Sequence, residues 1–231
     1  MQFFETIIYA FFAGLLPALI WLWFWLHEDR RNPEPRRILA LTFTTGMAMI
    51  FFAIPLEAFF MNVQAPALRF TAWAAIEECL KFAAAFIVAL HTRHYDEPLD
   101  AVIYMIVAAL GFAALENTLF ILKTSYDPTA SATSAILLTN LRFIGANLLH
   151  VLASSVVGVA IGYSFKKNRK EKILWTIGGL IIAILLHSAF NLSIMNSGSV
   201  DIFFIFLLIW LTMIGLMLVF EKIKRTSPLI S

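Results

Sequence analysis

In the stretch AAIEECLKF (74–82), two adjacent carboxylates, Glu77 and Glu78, and the ammonium of Lys81 interrupt a run otherwise apolar enough to lie in a membrane. Ionisable groups at such depth cost several kcal/mol unless they are paired or hydrated, so they should face a bundle interior. Further polar residues recur in later apolar stretches: Glu116 and Asn117; Asn140, Arg142, Asn147 and His150; and His187 with Asn191. A glutamate beside a second carboxylate suits acid–base work on water, and His187 and Asn191, four apart on one helical face, suit donation to an oxyanion. Glutamates and histidines together would equally make a metal centre with an open position for water, with Glu78, Glu116, His150 and His187 as the expected zinc ligands. These residue types leave the two mechanisms open. No HEXXH and no Ser/His/Asp arrangement is recognisable in the chain.

The elements that must position these groups are membrane helices. The chain has 231 residues, 61% of them hydrophobic and 14% charged, too much apolar surface for a soluble domain of this length. A bilayer core needs about 20 apolar helical residues, and seven stretches qualify: 3–26, 38–60, 67–90, 99–122, 136–165, 173–196 and 201–221. The fold expected is an all-α polytopic bundle, one membrane-embedded domain over 1–231 with its polar core at about 67–196. The start MQFFETIIYAFF lacks the features of a cleaved signal and reads as the first span. The lone Cys79 allows no internal disulfide and reads as a small apolar residue. Lys and Arg gather in 27–37, 91–98, 166–172 and the tail from Lys222, while the alternate loops hold only Lys123. That asymmetry predicts the N-terminus outside and the C-terminus in the cytoplasm. Basic residues confined to short loops give no nucleic-acid partner; the expected surroundings are the bilayer.

Helix spacing sorts the polar set. Lys81 can pair with either Glu77 (four apart) or Glu78 (three apart). At 1.5 Å per residue from the expected outer ends, Glu116 lies at about 10 Å, His187 at about 14 Å, Glu78 at about 16–17 Å and His150 at about 21 Å. Four spans thus bring polar groups to a similar level, which a bundle with only a structural role does not require. Taken singly, Lys81 with a glutamate reads also as a buried structural pair, and His187 with Asn191 as interhelical glue. Glu57 and Arg69 sit near an interface and can snorkel. The set also admits a second class of function, a proton- or cation-coupled transporter using the same carboxylates and histidines, though no repeat symmetry of the kind such folds carry is visible.

E-E-C-L-K (77–81) is similar to the EExxK motif of the PrsW family of membrane proteases. Y-D-E-P-L-D (95–100) resembles the segment before that family's second motif, F-A-A-L-E-N (112–117) fits its FxxxEN pattern, and H-S-A-F-N (187–191) fits its late HxxxN motif. Arg142, His150 and Gly158 fall between them in the family's order. The family is related to the CAAX prenyl endopeptidases, whose motifs build one glutamate-dependent intramembrane site. Glu116 stands here where the CAAX branch has histidine, and EExxK replaces EExxxR, so both departures favour the PrsW branch. The resemblance implies catalytic roles for Glu77, Glu78, Glu116, His150, His187 and Asn191, with Lys81, Asn117 and Arg142 supporting. It also implies a bacterial or archaeal cell-membrane endopeptidase that cuts a membrane-anchored protein, such as an anti-sigma factor, on its extracytoplasmic side, using either no cofactor or zinc.

Overall fold

A computed structural model of the chain describes residues 2–29, 32–127, 145–196 and 199–226. All regular elements among them are helices: α1 (Gln2–Glu28), α2 (Arg36–Ala48), α3 (Ile50–Ala58), α4 (Pro66–Ala85), α5 (Pro98–Ser125), α6 (Asn147–Tyr163), α7 (Arg169–Asn196) and α8 (Ser199–Thr226), with a π-helical turn, Phe86–Leu90, ending α4. Five spans are long and apolar enough to cross a membrane: α1, α2 with α3 (Arg36–Ala58), α5, α7 and α8. The apolar α6 is shorter, and α4, which carries Arg69, Glu77, Glu78 and Lys81, is not among the five. The protein is therefore a multi-pass membrane protein; six of the seven expected stretches coincide with one helix or with the α2–α3 pair, and of the fifth, 136–165, α6 covers 147–163 while 136–144 lies outside the described residues.

The bundle is built around α5. Its residues Leu99 to Ala114 are buried almost without interruption, and α1, α2 and α6 pack against it. Burial on all sides leaves no amphipathic stripe, as a central helix requires. Small residues permit the contacts: a methyl on Gly46 of α2 would overlap the Ala108 carbonyl of α5, and one on Gly158 of α6 would come within 2.6 Å of the Val102 Cα. Close approach through small residues is how membrane helices associate without a hydrophobic driving force. Outward-facing Phe, Leu and Ile on α1, α3, α7 and α8 present the lipid surface. The start of α5 is fixed by Pro98 in its first turn and by a capping box, in which Asp100 Oδ2 accepts from the Glu97 backbone N–H at 2.8 Å.

One end of the bundle carries the basic segments at 36–37, 166–172 and 222–225. Acidic groups are buried there as well: Asp29, Glu34, Glu97 and Asp100 are each at most 8% exposed, and the Tyr104 hydroxyl donates to Glu34. Burial pushes the Asp29 carboxyl up to about 8, helped by Glu97 and Asp100 and opposed by Lys224. Glu97 is pushed up to about 7 by burial and then by Asp100.

Candidate active site

Toward the other end of the bundle, α4, α5, α6 and α7 each contribute to one polar cluster. Glu116 and His187 stand eighteen residues past the first residues of α5 (Pro98) and α7 (Arg169), about 27 Å of rise from the basic end in each case. On α4 the three- and four-residue spacings put Glu77, Glu78 and Lys81 on one face, and all three are buried. The alanines around them (Ala74, Ala84, Ala85), with Ala183 on α7, let the neighbouring helices close in.

Lys81 is the focus. Its Nζ lies 3.1 Å from Glu77 Oε2, 2.8 Å from Glu78 Oε1 and 2.7 Å from His150 Nδ1, and 4.7 Å from the centre of the Phe112 ring. Glu78 is wholly enclosed. Its Oε1 also faces His187 Nδ1 at 2.9 Å, and its Oε2 accepts from Ser154 Oγ at 2.7 Å. His150 turns its Nε2 to Glu116 Oε2 at 2.8 Å. The rings of His150 and His187 stand edge to face, 5.3 Å apart. Glu77 Oε2 lies between them, 3.8 Å from His150 Nδ1 and 3.8 Å from His187 Nε2.

The two glutamates therefore differ. Glu78 has both oxygens occupied by donors on three helices and serves to hold Lys81, His187 and Ser154. Glu77 has Lys81 as its one close hydrogen-bond partner, keeps a slightly exposed side chain and points into the gap between the histidines. One ligand atom each from Glu77, His150 and His187 falls within 4.8 Å of the others, a donor set of one carboxylate and two imidazoles that fits a divalent metal such as zinc. Each histidine also has its second ring nitrogen turned to a carboxylate: His187 to Glu78, His150 to Glu116. Such carboxylate contacts fix the tautomer and orientation of a ligating histidine. Of the four residues expected from sequence as zinc ligands, His150 and His187 belong to this grouping, while Glu78 and Glu116 stand behind the histidines.

Most of the expected residues meet here. Glu77, Glu78, Lys81, Glu116, His150 and His187 form one connected cluster. Asn117 is buried on α5 beside Glu116. Asn191, one turn beyond His187, is half-buried with no side-chain hydrogen bond among the described residues. Asn140 and Arg142 lie outside the described residues. His150 meets the cluster from α6, and residues 136–144 of the expected fifth stretch lie outside the described residues. Two members were missed from sequence, Ser154 and Phe112. Ser154 is one turn beyond His150 on the same face, a spacing that sequence alone can register. Phe112 stands four residues before Glu116 and was read as part of a motif, with no signal that its ring would cover Lys81.

Fold and site together define a polytopic membrane protein with a buried carboxylate–histidine centre open to hydrolytic chemistry. Residues 34–219 match the PrsW family of intramembrane metalloproteases, and the chain belongs to that family of membrane proteases. Among its relatives are proteins named Protease PrsW from Clostridioides difficile (strain 630), 28% identical over 194 residues, 80% of this chain and 79% of the relative, and from Bacillus subtilis (strain 168), 25% identical over 187 residues, 78% and 79%. A third, from Halalkalibacterium halodurans, is 24% identical over 189 residues, 78% and 80%. No solved structure matches.

Proposed function

We propose that the protein is an endopeptidase that hydrolyses a membrane-anchored protein substrate, an anti-sigma factor being the example the family resemblance suggests, within or just outside the membrane near the end opposite the basic loops. With the positive-inside asymmetry, that end is extracytoplasmic. The observation that carries this reading is the arrangement of Glu77 between His150 and His187, each histidine held from behind by a second carboxylate. A relay for protons or ions needs a path through the bundle; this cluster is instead a closed focus with one face toward Glu116, whose side chain is 31% exposed.

In this reading Glu116, on the accessible side, marks where water and substrate enter. Glu77 Oε2 accepts a proton from the attacking water and is positioned to return it to the leaving amine. Glu78 and Ser154 hold His187 and Lys81 fixed so that Glu77 does not rotate away. Lys81, charged and next to Glu77, offers positive potential where the tetrahedral oxyanion develops, and Asn191 and His187 supply donors from the same face of α7. Should zinc be bound, Glu77, His150 and His187 are the residues that would hold it, and it would supply Lewis-acid activation of water. The water's proton would then go to Glu116, the accessible carboxylate of the cluster, in place of Glu77.

The test is a comparison of new N-termini in membranes of cells expressing the wild type or Glu77→Gln at equal level. Cleavage products confined to wild-type membranes, with cuts near the end of a span opposite the positive flank, support the proposal. Identical termini in both would overturn it.

A further inference from the structure

A groove of about 450 Å³ opens on the lipid-facing side of the bundle between the end of α4, α6 and the start of α7. Its walls are Phe82, Phe86 and Leu90 on one side and Ile173, Ile177 and Leu180 on the other. One wall spans nine residues and the other eight, about 10–12 Å of rise. An extended hydrocarbon chain, only one carbon contact diameter of about 4 Å plus its zigzag in width, fits between them. At the basic end of the groove stands Lys172. Its ammonium faces the Phe165 ring at 5.7 Å, and no carboxylate lies within ion-pair distance of it among the described residues. The neighbouring hydroxyls give their protons to carbonyls: Tyr95 and Ser164 to Ile161, and Thr176 to Lys172. Among the described residues lining the groove, Lys172 is therefore the side chain with donor protons left.

We propose that this groove binds one acyl chain of an anionic phospholipid from the leaflet at the basic end, with the lipid phosphate held by Lys172. Apolar walls beneath an uncompensated cation at headgroup level match a charged head above a hydrocarbon chain. The bound lipid touches α4, α6 and α7, the helices that carry Glu77, His150 and His187, and so ties them together below the site. The inference does not depend on the hydrolytic reading, because its test reads binding and stability alone.

The experiment is native mass spectrometry and thermal unfolding of the full chain in a neutral detergent, with phosphatidylglycerol, phosphatidylcholine or inorganic phosphate added. A neutral micelle has no surface potential, so general attraction of basic loops to an anionic membrane is absent. The expected result is one phosphatidylglycerol retained about fivefold or more over phosphatidylcholine, with a raised unfolding midpoint. Lys172→Glu should remove that preference and Ile177→Trp should remove retention by filling the groove; positions 172 and 177 are partly or largely exposed, and midpoints without lipid check that both variants fold. Lys170→Glu, in the same first turn of α7 but outside the groove, should keep both effects. Equal retention of the two lipids, retention unchanged in Lys172→Glu and Ile177→Trp, or a Lys170→Glu loss as large as that of Lys172→Glu would overturn the proposal. Protection by inorganic phosphate equal to that by phosphatidylglycerol would also overturn it, since no chain would then be involved.

Discussion

Removing one charge from the Glu77–Glu78–Lys81 triad should act very differently depending on which charge is removed. Lys81 is fully buried and within 3.1 Å of both carboxylates. Lys81→Met keeps the apolar stem against Phe112 but leaves two adjacent buried carboxylates without their cation. Breaking a buried pair typically costs about 3–5 kcal/mol, because the remaining charge stays desolvated. At roughly 2–4 °C per kcal/mol for a chain of this size, the unfolding midpoint should fall by about 6–20 °C. Glu78→Gln keeps acceptors and donors in place for Ser154 and His187 and leaves Lys81 its bond to Glu77, so its own cost should be smaller. The informative variant is the double one. Adding Glu78→Gln to Lys81→Met removes one of the two uncompensated carboxylates, so the double variant should be more stable than Lys81→Met alone. The assay is the unfolding midpoint of the four proteins in one detergent, read as a double-mutant cycle. A double variant at or below the midpoint of Lys81→Met would refute the view that Lys81 is there to neutralise this pair.

Other perturbations separate chemistry from structure. Ser154→Ala removes a charge-assisted bond to the enclosed Glu78, worth about 1.5–3 kcal/mol, so both the midpoint and the cleavage rate should fall; an unchanged midpoint would show that Glu78 is not held there. Asn191→Ala should lower turnover by about 10²–10³ while substrate binding and the midpoint stay level, as for the loss of an oxyanion donor; a lowered midpoint at normal specific activity would reduce the residue to packing. For Asp29, the folded carboxyl is raised from 3.8 to about 8, so the protonated form is the one the fold favours. Its contribution is fully present below pH 4 and lost as the pH rises through 8. The midpoint of wild type should therefore drop between about pH 5 and 8, and that slope should flatten in Asp29→Asn; an identical slope in the variant would place the effect elsewhere.

The sequence made the spans legible because each is a long apolar run, and it made the α4 triad and the His187–Asn191 pair legible because helical spacing alone puts them on one face. The convergence of four spans at a similar depth was readable from counting residues. What spacing does not contain is which rotamer a side chain adopts across a helix–helix gap. That is why Glu77 and Glu78, adjacent and chemically identical, separated only in three dimensions: one is enclosed by Lys81, His187 and Ser154, while the other is aimed between two rings. The central place of α5 was likewise hidden, since an even apolar helix reads the same whether neighbours or lipid surround it.

The most direct measurement is the cleavage rate of a membrane-anchored substrate by purified protein in proteoliposomes, comparing wild type with Glu77→Gln and His150→Ala at matched folded amounts. The Glu77–His150–His187 centre predicts product from the wild type and at least a hundredfold less from either variant, within the range for loss of a catalytic acid–base group, about 10²–10⁴. Product formed at the wild-type rate by a folded Glu77→Gln protein would contradict it.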